Sequence, residues 1–213
     1  NMAIQYPPTY KLPIPIEDLK CVVPFSGGKD SMACFKLAIE HFGLKHVVGM
    51  FNDTKWEHSD TYEFIGKMNE KYDGHIMTVS TPDDATVLNL VEKYKAFPSG
   101  RMKFCTYILK IQPSGVVYKE LAEMKKGEGY VVYYGMRKEE SNDRKLRYSN
   151  INEMTEYDPH EVNNNYSKKL FRAGVRFVLP VIEWDKKKIF DYIGDDVNPL
   201  YAKGSDRGGC APC

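Results

Sequence analysis

Apolar residues along this chain fall into two patterns that alternate: short unbroken runs, and longer stretches where they recur every three or four positions. The runs span residues 21–25, 46–51, 75–79, 130–134 and 176–182. Each reads as a strand, because a strand covered on both faces needs no polar side. The periodic stretches predict helices. Residues 29–42 carry Met32, Phe35, Leu37, Ala38, Ile39 and Phe42 on a stripe, and Gly43 follows as a stop. Residues 57–72 place Tyr62, Ile65, Met68 and Asn69 near one face, and 85–94 form a shorter helix. A helix over 105–111 is expected to break near Pro113 and resume to Met124. Residues 185–193 predict a last helix with Asp185 as its N-cap. Residues 138–170 are polar and predict irregular chain, with Asn163, Asn164 and Asn165 as an exposed tip. Strands separated by helices predict an α/β fold with a doubly wound, mostly parallel five-stranded sheet. Pro7, Pro8, Pro13 and Pro15 make 1–20 an extended arm. The core domain covers 21–197, and a Gly/Pro-rich tail covers 198–213.

The turn between the first run and the first stripe reads Ser26, Gly27, Gly28, Lys29, Asp30, Ser31. A helix that begins on a glycine turn aims unpaired N–H groups and the positive end of its dipole at one spot. Such a spot holds phosphate. The glycines remove the Cβ atoms that would keep an anion away. Lys29 adds a full charge, and Ser26 and Ser31 add hydroxyls. Asp30 beside an anion implies a bridging cation, Mg²⁺. The spacing is not that of the G-x-x-x-x-G-K-[ST] loop. It resembles the PP-loop of the ATP pyrophosphatases, which cleave ATP between the α and β phosphates. In a parallel sheet, ligands sit outside the carboxyl ends of the strands. That rule draws Asn52, Asp53 and Thr54, Ser80 and Thr81, and Gly135, Met136 and Arg137 to one crevice.

Composition removes some classes. The 213 residues suffice for one α/β domain, and a net charge of +1 demands neither nucleic acid nor a membrane. No apolar run nears the roughly 20 residues of a membrane span. No cationic-then-apolar leader opens the chain, so a cytoplasmic protein is expected. Five cysteines are not spaced as a disulfide frame. Cys210 and Cys213 form a C-x-x-C, and Cys105 is a third thiol. Three thiolates leave a structural zinc one ligand short. They suit a [4Fe–4S] cluster with one iron open to a substrate sulfur. Cys21 and Cys34 fall in the strand and helix patterns and are expected in the core. Lys138, Arg144, Lys145, Arg147, Lys168, Lys169 and Arg172 are mixed with acids. They read first as a solvated face and second as a seat for nucleic acid.

Several segments in order resemble the phosphoadenosine phosphosulfate reductase-like branch of the PP-loop superfamily. They are Asn52-Asp53-Thr54, then Cys105-Thr106 through Lys110 and Pro113, then Gly135-Met136-Arg137 with Glu140, Ser141 and Arg144. Pro180, Trp184, Asn198-Pro199-Leu200-Tyr201, Gly204, Arg207 and Gly209-Cys210-x-x-Cys213 complete the series. The resemblance implies an adenine nucleotide alpha-hydrolase-like fold. It implies nucleotide contacts from residues 26–31, 52–54, Gly135, Arg137 and Arg207, with Lys29, Asp30 and Arg137 in catalysis. The turn is complete, whereas sulfonucleotide reductases usually carry a degraded form. Thr106 follows Cys105 where cluster-bearing reductases commonly pair cysteines. The expected activity is therefore ATP-dependent adenylation of an acceptor, with sulfur transfer as its use. The alternatives are a sulfonucleotide reductase releasing sulfite and a nucleotide-binding partner subunit with little turnover. Expected partners are a nucleotide, a nucleic acid or a sulfur-donor protein, and further copies of the chain.

Overall fold

The computed structural model describes residues 7–82, 86–95 and 106–206. The five strands are β1 (Cys21–Pro24), β2 (Val47–Asp53), β3 (Ile76–Ser80), β4 (Tyr130–Tyr133) and β5 (Val175–Val178). They form one sheet in the order β3-β2-β1-β4-β5, and every pairing is parallel. Among the described residues the α-helices are α1 (Lys29–Phe42), α2 (Ser59–Lys71), α3 (Val87–Tyr94), α4 (Gln112–Met124), α5 (Asn142–Arg147), α6 (Pro159–Val162), α7 (Lys169–Ala173) and α8 (Lys186–Ile193).

Alternate residues of each strand serve opposite faces. Cys21 and Val23 join α1, α2 and α8 through Phe35, Phe64, Met68 and Ile189. Val22 and Val132 join α4, α6 and α7 through Val117, Tyr118, Val162 and Leu170. Both faces are covered, which is why the strands are apolar throughout. The sheet is doubly wound, as the alternation of runs and stripes predicts. Over residues 7–20 the chain runs against the sheet and the core. Thr9 bridges Ser80, and Tyr10, Leu12, Ile14 and Ile16 pack on the core. A short 3₁₀ turn at Ile16–Asp18 interrupts its extension, just after Pro15.

Several sequence expectations need correction. The region 138–170 is not irregular: it holds a 3₁₀ turn at Lys138–Glu140, α5, α6 and the start of α7. Of its apolar residues, Tyr148, Ile151, Val162, Tyr166 and Leu170 are buried, while Leu146 and Met154 are exposed. Val162, Tyr166 and Leu170 recur every four positions, but the polar residues between them, Asn163, Asn164 and Asn165 among them, hide that stripe. The run at 176–182 is strand only to Val178; Leu179, Val181 and Ile182 continue as a buried turn. Pro113 does not break a helix. A π-helical turn at Tyr107–Ile111 passes directly into α4, and this wider winding just before Pro113 carries the helix past a residue that has no N–H to donate. On α2 the buried residues are Thr61, Phe64, Ile65 and Met68, while Tyr62 lies on the exposed side. Cys21 and Cys34 are core residues as expected, and burial pushes both thiols up. Asp185 caps α8 as expected, accepting from the Lys188 N–H at 2.7 Å.

Asp196 fastens the chain after α8 to the helical layer. Its carboxylate accepts from Lys71 at 2.5 Å, the Tyr72 hydroxyl at 2.7 Å and Lys36 at 3.2 Å. Burial alone would raise its pKa, but the bonds from Lys71, Tyr72 and Lys36 hold the carboxyl below the usual carboxylate range. Stabilisation from a depressed carboxyl is complete above the unfolded value of about 4 and is lost as pH falls through the folded value. Asp196→Asn is expected to cost about 2 kcal/mol at pH 7. It should also flatten the acid limb of the stability curve below about pH 4. Urea unfolding of both proteins between pH 3 and pH 7 checks both effects.

Candidate nucleotide site

Strands β1 and β4 are neighbours, but the chain leaves them toward opposite faces. The crevice between their carboxyl ends is the place where such a sheet takes a ligand. The turn after β1 supplies Ser26, Gly27, Gly28, Lys29, Asp30 and Ser31 to it. Gly27 has φ +80, and a Cβ there would stand 3.0 Å from Thr61 Cγ2. Glycine thus serves both the left-handed backbone and the close packing on α2.

The turn's amides are held by hydroxyl oxygens. The Gly28 N–H donates to Ser26 Oγ at 3.2 Å, and the Ser26 N–H donates to Ser31 Oγ at 3.2 Å. The Lys29 N–H, which has no carbonyl to bond within α1, donates to the Tyr201 hydroxyl at 2.8 Å. Ser26 is exposed, so the turn opens to solvent on one side.

From β4 comes Gly135. A Cβ there would lie 3.2 Å from Ser31 N and 3.3 Å from Asp30 C, so this loop presses on the first turn of α1. That approach delivers Arg137, which is only 3% exposed. Its Nε donates to Asp30 Oδ1 at 2.7 Å. One Nη1 donates to Glu139 at 2.9 Å and to the Trp184 carbonyl at 3.4 Å. Lys29 is 6% exposed, and its Nζ stands 3.9 Å from Asp30 Oδ2. Lys29, Asp30, Arg137 and Glu139 form one cluster of alternating charge. The sequence alone suggested that Asp30 wants Mg²⁺; here Arg137 is its counter-cation. The ion pair to Glu139 exists too, but it belongs to a buried arginine rather than a surface one.

Asn52 and Asp53 sit on the last rungs of β2, paired with Val79 and Ser80, rather than on a loop. Asn52 turns to the α4 side and donates to Ser114 Oγ at 2.9 Å. Asp53 turns to α2, accepting from the Tyr62 hydroxyl at 2.7 Å and the Lys55 N–H at 2.8 Å. Thr54 donates to Glu57 at 3.0 Å. The crevice therefore unites residues 26–31 with Gly135 and Arg137, while the hydrogen bonds of Asn52, Asp53 and Thr54 run to neighbouring helices and turns.

Among the described residues no group of three His, Cys, Asp or Glu side chains is arranged to hold a metal. The expected cluster ligands Cys105, Cys210 and Cys213, and Arg207, lie outside the described residues. A Mg²⁺ carried by a triphosphate needs only one or two protein carboxylates. Asp30 fits that need, provided its bonds to Arg137 and Lys29 can be shared.

Sequence reasoning gave no role to Asn198 or Thr61. Asn198, 1% exposed, donates to the Gly27 carbonyl at 3.3 Å and to Thr61 Oγ1 at 3.1 Å. Lys203 pairs with Asp60 at 2.5 Å. The chain after α8 thus crosses the mouth of the turn. The run Asn198-Pro199-Leu200-Tyr201 was its only mark in the sequence, and nothing local says which residue it meets.

Residues 20–213 match the phosphoadenosine phosphosulfate reductase domain. Adenosine 5′-phosphosulfate reductase 1 of Bacillus subtilis is 26% identical over 167 residues, 77% of this chain and 61% of that one. Sulfate adenylyltransferase subunit 2 of Pseudomonas fluorescens is 28% identical over 192 residues, 84% of this chain and 59% of that one. The crystal structure of a phosphoadenylyl-sulfate reductase from Candida auris, a phosphate complex, superposes with a TM-score of 0.60 at 16% identity. It covers 92% of this chain and 82% of that one, a likeness of fold. The chain spans between 35% and 66% of the length of the curated relatives it matches, the lower bound set by an uncharacterised protein of Methanocaldococcus jannaschii. No helix among the described residues is long and apolar enough to cross a membrane. The match across almost the whole chain, and a sheet that opens where the intact turn lies, have one reading: this chain belongs to the phosphoadenosine phosphosulfate reductase domain family.

Proposed function

We propose that the chain binds Mg²⁺-ATP in the β1/β4 crevice and transfers the adenylyl group to an acceptor oxygen, releasing pyrophosphate. The observation that carries this reading is Lys29. It is the first residue of α1, its backbone N–H points out of the helix start to a hydroxyl oxygen rather than to a helix carbonyl, and its side chain is buried beside Asp30, which Arg137 also pairs. A triphosphate supplies the negative charge that this arrangement of amides and cations suits. The name of the Pseudomonas relative, a sulfate adenylyltransferase subunit, supports adenylyl transfer to an oxyanion. It also supports a second subunit as partner.

In the proposed reaction an acceptor oxygen forms a bond to the α phosphorus. The bond from that phosphorus to the bridging oxygen breaks, and pyrophosphate leaves with the electron pair. A proton, if the acceptor carries one, passes to solvent. Charge accumulates on the leaving phosphates, where fixed donors count most. Lys29 and the turn's amides meet that charge. Arg137 holds the Asp30 carboxylate at the first turn of α1 and adds a fixed cation beside it. Asp30 shares its oxygens with the Mg²⁺ that arrives on the substrate. Asp53, at the mouth of β2, is placed by this reading near the adenosine, and Arg207 near the phosphates. Cys105, Cys210 and Cys213 would hold a [4Fe–4S] cluster, whose chemistry would be to keep one iron open to a sulfur destined for a small molecule or nucleic acid. Its ultraviolet–visible band in anaerobically purified protein is the check.

A second reading is favoured by the names of the Bacillus and Candida proteins: reduction of a sulfonucleotide with release of sulfite. The third is a nucleotide-binding subunit with little turnover. Pyrophosphate release from ATP separates the first reading from both. Sulfite release from adenosine 5′-phosphosulfate with a thiol reductant selects the second, and binding without either product selects the third.

Lys29→Met keeps the buried aliphatic stem and removes the charge. It is expected to lower kcat/KM for pyrophosphate release by about 10²–10³-fold, with a melting temperature close to wild type. Gly135→Ala puts a methyl group against the backbone of Asp30 and Ser31. It is expected to weaken Mg²⁺-ATP binding about tenfold in calorimetry, because the first turn of α1 must shift by a few tenths of an ångström.

A further inference from the structure

Tyr201 occupies an unusual position at the mouth of the turn. Its hydroxyl accepts from the Lys29 N–H at 2.8 Å, from 172 residues further along the chain. Its ring lies under the Lys29 ammonium, with Nζ 5.5 Å from the ring centroid. One residue therefore covers both groups of Lys29 that a phosphate would use. The other hydroxyls on the turn, Ser26 and Ser31, are part of the turn itself. Tyr201 is not. It belongs to the 3₁₀ turn Pro199–Tyr201 and packs edge-on to Phe190 of α8 at 5.4 Å.

Resting on the nucleotide reading above, we propose that the Tyr201 hydroxyl is an internal stand-in for a phosphate oxygen, which the nucleotide must displace to bind. An N–H at the start of a helix makes one strong bond along its axis, so a phosphate oxygen and the tyrosine hydroxyl compete for the same donor. The swap favours phosphate, since an ionised acceptor bonds roughly twice as strongly as a neutral one. The ring must leave with the hydroxyl, and its departure uncovers the Lys29 ammonium.

The surroundings allow this movement. Tyr201 is half-buried, so one side of its ring already meets water. Asn198, fully buried and bonded to Gly27 and Thr61, holds the base of the segment. Asp196 holds it two residues earlier. The residues after Tyr201 are secured by exposed contacts, such as Lys203 to Asp60. The movement is thus confined to the stretch after Asn198. Occupancy of the turn would be reported to residues 202–206 through this one side chain.

Tyr201→Phe keeps the ring and removes the competitor. Titration calorimetry with Mg²⁺-ATP, and separately with adenosine 5′-phosphosulfate, is expected to give affinity about three- to tenfold tighter than wild type for whichever binds. Hydrogen–deuterium exchange is the second measurement. In wild type, nucleotide should speed exchange over 199–206 and slow it over 27–31. In Tyr201→Phe the segment 199–206 should already exchange faster without ligand. Weaker nucleotide binding by Tyr201→Phe would make the hydroxyl a phosphate donor and overturn the proposal. Unchanged affinity with 199–206 protected on binding would overturn it as well. If neither nucleotide binds wild type or variant, the nucleotide reading itself fails and this inference falls with it.

Discussion

Everything in the crevice depends on where the sheet changes direction. The chain lays down β1, β2 and β3 outward to one side, then crosses back to put β4 on the other side of β1. The loops leaving β1 and β4 consequently part company, and no helix fills the gap between their carboxyl ends. The opening exposes the start of α1, whose first N–H groups have no partners within the helix. A parallel sheet with any other strand beside β1 would bring a different loop to that opening. Gly135 completes the arrangement, because only a residue without a Cβ lets the β4 loop touch the backbone of Asp30 and Ser31.

The charges around the turn are balanced before any ligand arrives. Lys29 and Arg137 alternate with Asp30 and Glu139, and the two cations are almost fully buried. Buried charges persist only when paired. The pairing explains how a lysine and an arginine can wait at a crevice in a folded chain. It also limits what they can do, since a phosphate must share them with carboxylates already in place.

The segment after α8 ties the helical layer to the turn. Asp196 grips α1 and α2, Asn198 grips Gly27 and Thr61, and Tyr201 covers Lys29. These contacts come from residues that look like a loose tail when read in order. Their placement makes the turn 26–31 and the stretch 196–201 parts of one structure.

Read by itself, the sequence determined the strands, the larger helices, the doubly wound class and the turn 26–31. Those features rest on local rules: a buried strand is apolar at every position, a surface helix repeats every 3.6 residues, and a phosphate turn needs glycines next to a helix start. It missed the short helices of 138–170, whose buried residues Pro159, Val162, Tyr166 and Leu170 are separated by polar residues that read as an exposed tip. It misjudged Pro113, because a wider π-helical turn just before it lets the helix run on. It marked Arg137 as a candidate but could not know that Asp30 is its partner 107 positions away. Tertiary structure alone decided strand order, the burial of that ion pair and the meeting of Tyr201 with Lys29. These are contacts between distant residues, and their energy comes from desolvation and geometry that no local pattern encodes.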